Sequence, residues 1–94
     1  MTYEWDAAKA ASNLRRHGVS FAEATSVFLD QAALTFNDLD HSEEDREITI
    51  GVSAKRRVLF VSHCAWGDRI RIISARKATR RERSQYAERI GGED

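Results

Sequence analysis

Three β-prone stretches joined by very short connections constrain this chain most. Residues 46–52 alternate, with Ile48, Ile50 and Val52 on one side and Glu47 and Thr49 on the other. Residues 58–65 are rich in strand formers, and residues 69–76 read Arg-Ile-Arg-Ile-Ile-Ser-Ala-Arg. The basic turn Lys55-Arg56-Arg57 and the turn Trp66-Gly67-Asp68 join them. A parallel crossover needs a dozen or more residues, so these strands must run antiparallel as a meander. Residues 33–36 are a further short strand candidate, and residues 37–45 read as an acidic, polar loop.

Helical signals flank this block. Tyr3-Glu4-Trp5 reads as a first short strand, and Asp6 can cap a helix from about Ala7. Arg15, Arg16 and His17 suit a helix C-terminus, and Gly18 follows as the left-handed stop. Ser20-Phe-Ala-Glu23 has capping-box spacing, with Phe21, Ala24, Val27 and Phe28 on the inward face. Thr79-Arg-Arg-Glu82 repeats the capping-box spacing before a last helix, which carries Tyr86, Ala87 and Ile90 and stops at Gly91-Gly92. The expected fold is α+β. An antiparallel sheet of about four strands plus a short N-terminal strand packs with an N-terminal helical hairpin and a C-terminal helix, the helices on one face. At 94 residues a single domain over 1–94 is expected.

Composition narrows the class. The longest fully apolar run spans residues 58–61, far short of the roughly 20 residues of a membrane-spanning helix. The opening residues show no basic and apolar signal pattern. Cys64 is the only cysteine, so no intramolecular disulfide can form, which suits a cytoplasmic protein. The formal net charge is zero, but residues 1–54 carry four basic and ten acidic groups, and residues 55–94 carry eleven basic and five acidic groups. The halves are therefore −6 and +6. The basic half makes a polyanion ligand plausible where the sum would argue against one.

The chemistry concentrates in that half. Arg69 and Arg71 share a strand face, with Arg76 at the strand end, an array suited to phosphate oxygens. Lys77, Arg80, Arg81 and Arg83 follow. A solvated charged surface is the alternative reading of the same residues. His63 has the parity of Leu59 and Val61 and is the acid or base candidate, a structural histidine being the alternative. His17 fits a helix terminus and His41 a polar loop, and no His or Cys pair has metal-ligand spacing. No metal or cofactor is expected. Trp5 and Trp66 could each stack on a base. Trp5, next to a helix cap, reads more readily as a core anchor, and Trp66, beside the hairpin glycine, reads as exposed and open to a partner.

Several of these segments form a pattern. Tyr3-Glu-Trp-Asp6 with Lys9, the run Asn13-Leu-Arg-Arg-His-Gly-Val-Ser-Phe-Ala-Glu23, and Val27-Phe-Leu-Asp30 resemble the opening of the BrnT family. Arg46 ahead of Thr49-Ile-Gly51, Arg69-Ile-Arg-Ile-Ile-Ser-Ala-Arg-Lys-Ala78, then Arg80 to Arg83 and Tyr86 extend the resemblance over nearly the whole chain. Ala7 departs from it, standing where the family often has proline. The resemblance implies a RelE-like fold and a toxin of a bacterial type II toxin–antitoxin pair. It implies a metal-independent endoribonuclease that stops translation, held by a BrnA-like antitoxin that binds operator DNA.

RNA cleavage without a metal needs a base for the ribose 2′-hydroxyl, cations for the phosphorane and an acid for the leaving oxygen. Arg71 and Arg76 are the candidates for charge stabilisation and His63 for acid or base. Arg46 joins them from the family pattern, and Lys9, Arg69, Lys77 and Arg80 are expected to hold the RNA backbone. Glu47 is a poorer base, since a regular strand turns it away from Arg46. A non-catalytic module binding a partner or nucleic acid within a repressor complex is the competing reading.

Overall fold

The computed structural model describes residues 2–91, and residues 42–44 by their backbone alone. The elements run β1 (Thr2–Glu4), α1 (Ala7–His17), α2 (Phe21–Thr25), β2 (Leu34–Asn37), β3 (Glu47–Val52), β4 (Val58–Trp66), β5 (Arg69–Lys77) and α3 (Arg80–Gly91). Short 3-10 segments lie at Ser26–Leu29 and Leu39–Glu44. The strands form one five-stranded sheet in the order β1-β5-β4-β3-β2.

Local chemistry explains most element ends. Asp6 caps α1 by accepting from the Lys9 amide, and Gly18 closes it in the left-handed region at φ 68°. Ser20 caps α2 through the Glu23 amide. The helix tightens to a 3-10 turn after five residues because two hydroxyls bond backward to carbonyls, Thr25 to Ala22 and Ser26 to Glu23. The Thr79–Glu82 box forms in full. Thr79 Oγ1 accepts from the Glu82 amide, and Glu82 Oε1 accepts from the Thr79 amide. Helix α3 reaches Gly91, and Gly92 lies outside the described residues.

The meander is antiparallel as expected, from β2 through β5. Strand β1 is not part of that pattern. It lies parallel to β5, pairing Thr2 with Arg69 and Glu4 with Arg71, so the sheet is mixed. A three-residue strand has no hairpin to set its direction, and the path of α1 decides it. The helices also divide between the faces instead of sharing one. Val19, Phe21, Ala24 and Val27 pack on Leu59, Val61, Ile72 and Ala75, whereas Tyr86 of α3 packs on Ile48 and Ile50 on the opposite face.

The centre of β3 is therefore covered twice. Ile48, Thr49, Ile50 and Gly51 are all buried, and the expected polar side of this strand is interior. Gly51 is required by close approach, since a Cβ there would stand 3.0 Å from that of Ala33. Asn13, 7% exposed, ties α1 to the sheet. Its amide donates to the Ala75 and Val19 carbonyls, and its oxygen accepts from the Ala75 amide.

A β-bulge sets the placement of the arginines. Ser62 pairs with Ser74 but His63 pairs with Ile72, leaving Ile73 as the extra residue of β5. Cys64 then opposes Arg71, and Phe60 opposes Arg76. Since Cys64 and Phe60 share a face of β4, Arg71 and Arg76 share a face too, although they stand an odd number of residues apart.

Candidate functional site

The α3 face is covered at one end by Tyr86 and open at the other. In the open part lies a cavity of about 220 Å³ lined by Lys9, Arg46, Cys64, Trp66, Arg71 and Ile73. Lys9 comes from the first turn of α1, Arg46 from the residue before β3, and Arg71 from the centre of β5. Three expected site residues, far apart along the chain, thus converge on one hollow. Ile73 reaches the cavity because it is the bulged residue.

Arg71 is held on two sides. Its Nη1 donates to Glu4 Oε2, and its guanidinium lies 4.6 Å from the centroid of the Trp66 ring. Glu4 also stands 3.8 Å from Arg69, so one carboxylate of the acidic half serves two arginines of the basic half. This carboxylate was not among the expected site residues. Only the parallel pairing of β1 with β5 brings Glu4 opposite Arg71.

Arg76 shares the face but is engaged. Its two terminal nitrogens donate to both oxygens of Glu82 at 2.8 and 3.0 Å, and its guanidinium lies 3.9 Å from the Phe60 ring centroid. Burial pushes the Glu82 carboxyl up, but hydrogen bonds from Arg76 and from the Thr79 amide outweigh it and hold the group below the usual carboxylate range. Arg76 therefore joins the sheet to the first turn of α3. Lys77 does not share this face. It opposes Leu59, whose side chain belongs to the α1–α2 core. Arg80 is exposed at the start of α3, and Arg69 is exposed beside Glu4.

His63 lies apart from the other candidates. It is 4% exposed, opposes Glu47 and Ile72, and lies on the face covered by α1 and α2. Its Nε2 lies 2.7 Å from Thr49 Oγ1, and its ring meets Phe28 edge-on at 4.9 Å. The sheet separates it from Arg71, so the structure does not bring it to that cavity. Burial pushes its pKa down to about 4.

This location carries a prediction. The unfolded chain takes up a proton at His63 near pH 6.5 and the folded chain only near 4, so stability is complete above 6.5 and is lost as the pH falls toward 4. The loss amounts to about 3 kcal/mol across that window. Urea titrations of His63→Gln should show a flatter slope between pH 6.5 and 4, and the folded variant should keep the parent's activity. An inactive, folded His63→Gln would return the histidine to the site.

The acidic loop adjoins the basic cavity. Asp38, Asp45 and Glu47 line a neighbouring hollow of about 400 Å³ together with Asn37, Leu39, Ala65 and Arg46, so Arg46 is common to both. His41 pairs with Asp38 at 3.0 Å in this loop. Among the described residues, no three histidine, cysteine or carboxylate side chains converge as a metal site, and no helix is long and apolar enough to cross a membrane.

Comparison with known proteins matches the chain to a family. The model described as "Ribonuclease toxin, BrnT, of type II toxin–antitoxin system" matches residues 5–82. The chain belongs to the BrnT family. Endoribonuclease activity comes with that membership. The matched segment contains Lys9, Arg46, Arg71 and Arg76 and ends at Glu82, the partner of Arg76. Among solved structures, the 1.1 Å crystal structure of the Brucella abortus ribonuclease toxin BrnT shares the fold, with a TM-score of 0.68 and 24% identity. The likeness covers 85% of this chain and 100% of the Brucella chain. No curated protein matches. Among its described residues this chain has an α+β arrangement of a five-stranded mixed sheet and three α-helices, and that arrangement matches the Brucella structure.

Proposed function

We propose that the cavity formed by Lys9, Arg46 and Arg71 is where this BrnT protein binds and cleaves RNA. The convergence of three cations from three separate segments carries the reading. The neighbouring 2′-oxygen bonds to phosphorus as its proton passes to solvent water. The resulting phosphorane, bearing an extra negative charge, collapses to a 2′,3′-cyclic phosphate as the bond to the 5′-oxygen breaks. Fixed donors aimed at that charge lower the barrier. Arg46 and Arg71 are assigned to that charge. The planar fork of arginine matches phosphate oxygens. Lys9 is the ammonium donor of the cavity and is assigned to the departing 5′-oxygen. No metal is assigned a role. Arg69 and Arg80, exposed on either side, extend the contact along the RNA backbone, and Arg76 supports the face by holding α3.

Membership of the family supports a wider role. RNA cleavage would inhibit translation in the cytoplasm, on a RelE-like framework, until a BrnA-like antitoxin covers the basic face. Operator DNA would be reached only through that antitoxin. A short pulse of expression of the full chain tests this, with and without the adjacent open reading frame. The expected result is growth arrest with fragmented RNA, relieved when the neighbour is co-expressed. Normal growth with intact RNA, alongside RNA binding by the purified protein, would leave a binding module instead.

A further inference from the structure

We infer that Trp66 is a base-stacking platform in the RNA site, and that the substrate is RNA with an unpaired base at this point, a single strand or loop and not a duplex. The inference rests on the Arg46–Arg71 cavity being the RNA site and adds to it a partner for the nucleobase.

Single exposed apolar side chains are ordinary on protein surfaces. Trp66 differs by its company. Its side chain is 53% exposed, yet it lines the same hollow as Lys9, Arg46 and Arg71. The other tryptophan, Trp5, is also exposed, at 38%, and is no core anchor, but it meets Phe21 edge-on at 6.0 Å on the face covered by α1 and α2, away from these cations. Trp66 is also held in place. It is the last residue of β4, opposite Arg69, and the connection to β5 is the two-residue turn Gly67-Asp68. Gly67 has φ 63°, the left-handed angle that a tight hairpin needs at its first position. Arg71, diagonal to Trp66 across the pair, stacks its guanidinium on the ring. The indole is therefore presented by a strand, not a loose loop.

A flat aromatic surface beside phosphate-binding cations has the two parts that hold a nucleotide. One takes the base by stacking and the other takes the backbone. A base in a duplex is covered above and below by its neighbours, so it can lie on the indole only when unstacked.

The test uses the full chain and a 5′-labelled RNA with 2′-O-methyl groups throughout, which cannot supply the attacking hydroxyl. Anisotropy should show the single strand binding more tightly than its duplex. Trp66→Ala should weaken single-strand binding about tenfold or more, and Trp66→Phe should keep most of it. An abasic scan of the oligonucleotide should find one position whose missing base weakens binding similarly. In Trp66→Ala that position-specific penalty should vanish, which a purely structural role for the indole would not produce. If Trp66→Ala binds as the parent does while Arg71→Ala binds weakly, the platform is overturned and the RNA site stands. If both variants bind as the parent does, the site and the platform fall together.

Discussion

Arg71→Ala is expected to slow RNA cleavage by about 100- to 1,000-fold, the effect of removing one fixed donor from a developing oxyanion. The fold should survive. Arg71 is partly exposed, and its pair with Glu4 lies at the surface, where such pairs contribute about 0–1 kcal/mol. Arg71→Lys retains the charge but loses the planar fork and the stacking on Trp66, so it should fall between the two. Single-turnover cleavage of a short RNA separates this loss from weaker binding. A folded Arg71→Ala with parental single-turnover rates would remove the residue from the reaction. Arg76→Ala provides the contrast. Its guanidinium holds Glu82, so its main expected consequence is a loosened α3.

Arg57→Ala should cost about 3 kcal/mol of stability at neutral pH without touching the cavity. Glu23 is only 2% exposed, and its carboxylate accepts from Arg57 Nε at 3.0 Å, from Arg57 Nη2 and from Ser53 Oγ at 2.7 Å. Arg57 Nη2 also donates to the Gly18 carbonyl, joining the β3–β4 turn to the end of α1. Removing the guanidinium leaves a buried carboxylate, and breaking such a pair costs about 3–5 kcal/mol. The lower end applies because Arg57 is 30% exposed. For a chain of this length the melting midpoint should fall by ~15 °C.

The pH dependence identifies the cause. Hydrogen bonding from Arg57 leads the effects that hold the Glu23 carboxyl below its ordinary value of 4.5, against burial. In the parent, this stability is present above 4.5 and lost as the pH falls through the depressed folded value. In Arg57→Ala, burial acts without its main opponent, and protonation of Glu23 relieves the unpaired charge. The gap in stability between parent and variant should therefore narrow on acidification. A gap that is constant from pH 7 to pH 4 would mean that the loss comes from packing alone.

The two capping boxes show how far local reading reaches. Both were legible as helix starts, and both serines or threonines cap as their spacing implies. Only Glu82 reaches back to its own cap residue. Glu23 turns instead to Arg57, far along the chain, because burial gives a charged partner more weight than one more local amide. The basic turn Lys55-Arg56-Arg57 likewise read as surface charge, yet Arg57 is the counter-ion of the helical layer. The −6 and +6 halves are thus joined by ion pairs, Glu4 with Arg71 and Glu23 with Arg57, before any RNA is present.

Periodicity, turn length and caps determined the strands, the meander, the helix starts and the concentration of cations in the second half, because each depends on neighbours within a few residues. Family-specific wording in the same residues pointed to a ribonuclease toxin. What only the tertiary structure decided is which cations share a face. Strict alternation puts Arg71 and Arg76 on opposite sides, and the unpaired Ile73 brings them together. It offers no reason to place Lys9 beside Arg46, or Glu4 beside Arg71. The same parity rule, correctly applied, turns His63 toward the apolar side, but only the packing of Phe28 and Thr49 makes that side a closed interior. One extra residue in one strand and a helix on each face lie outside any local pattern. They follow from how the layers pack, and that packing leaves Lys9, Arg46, Trp66 and Arg71 around a single opening.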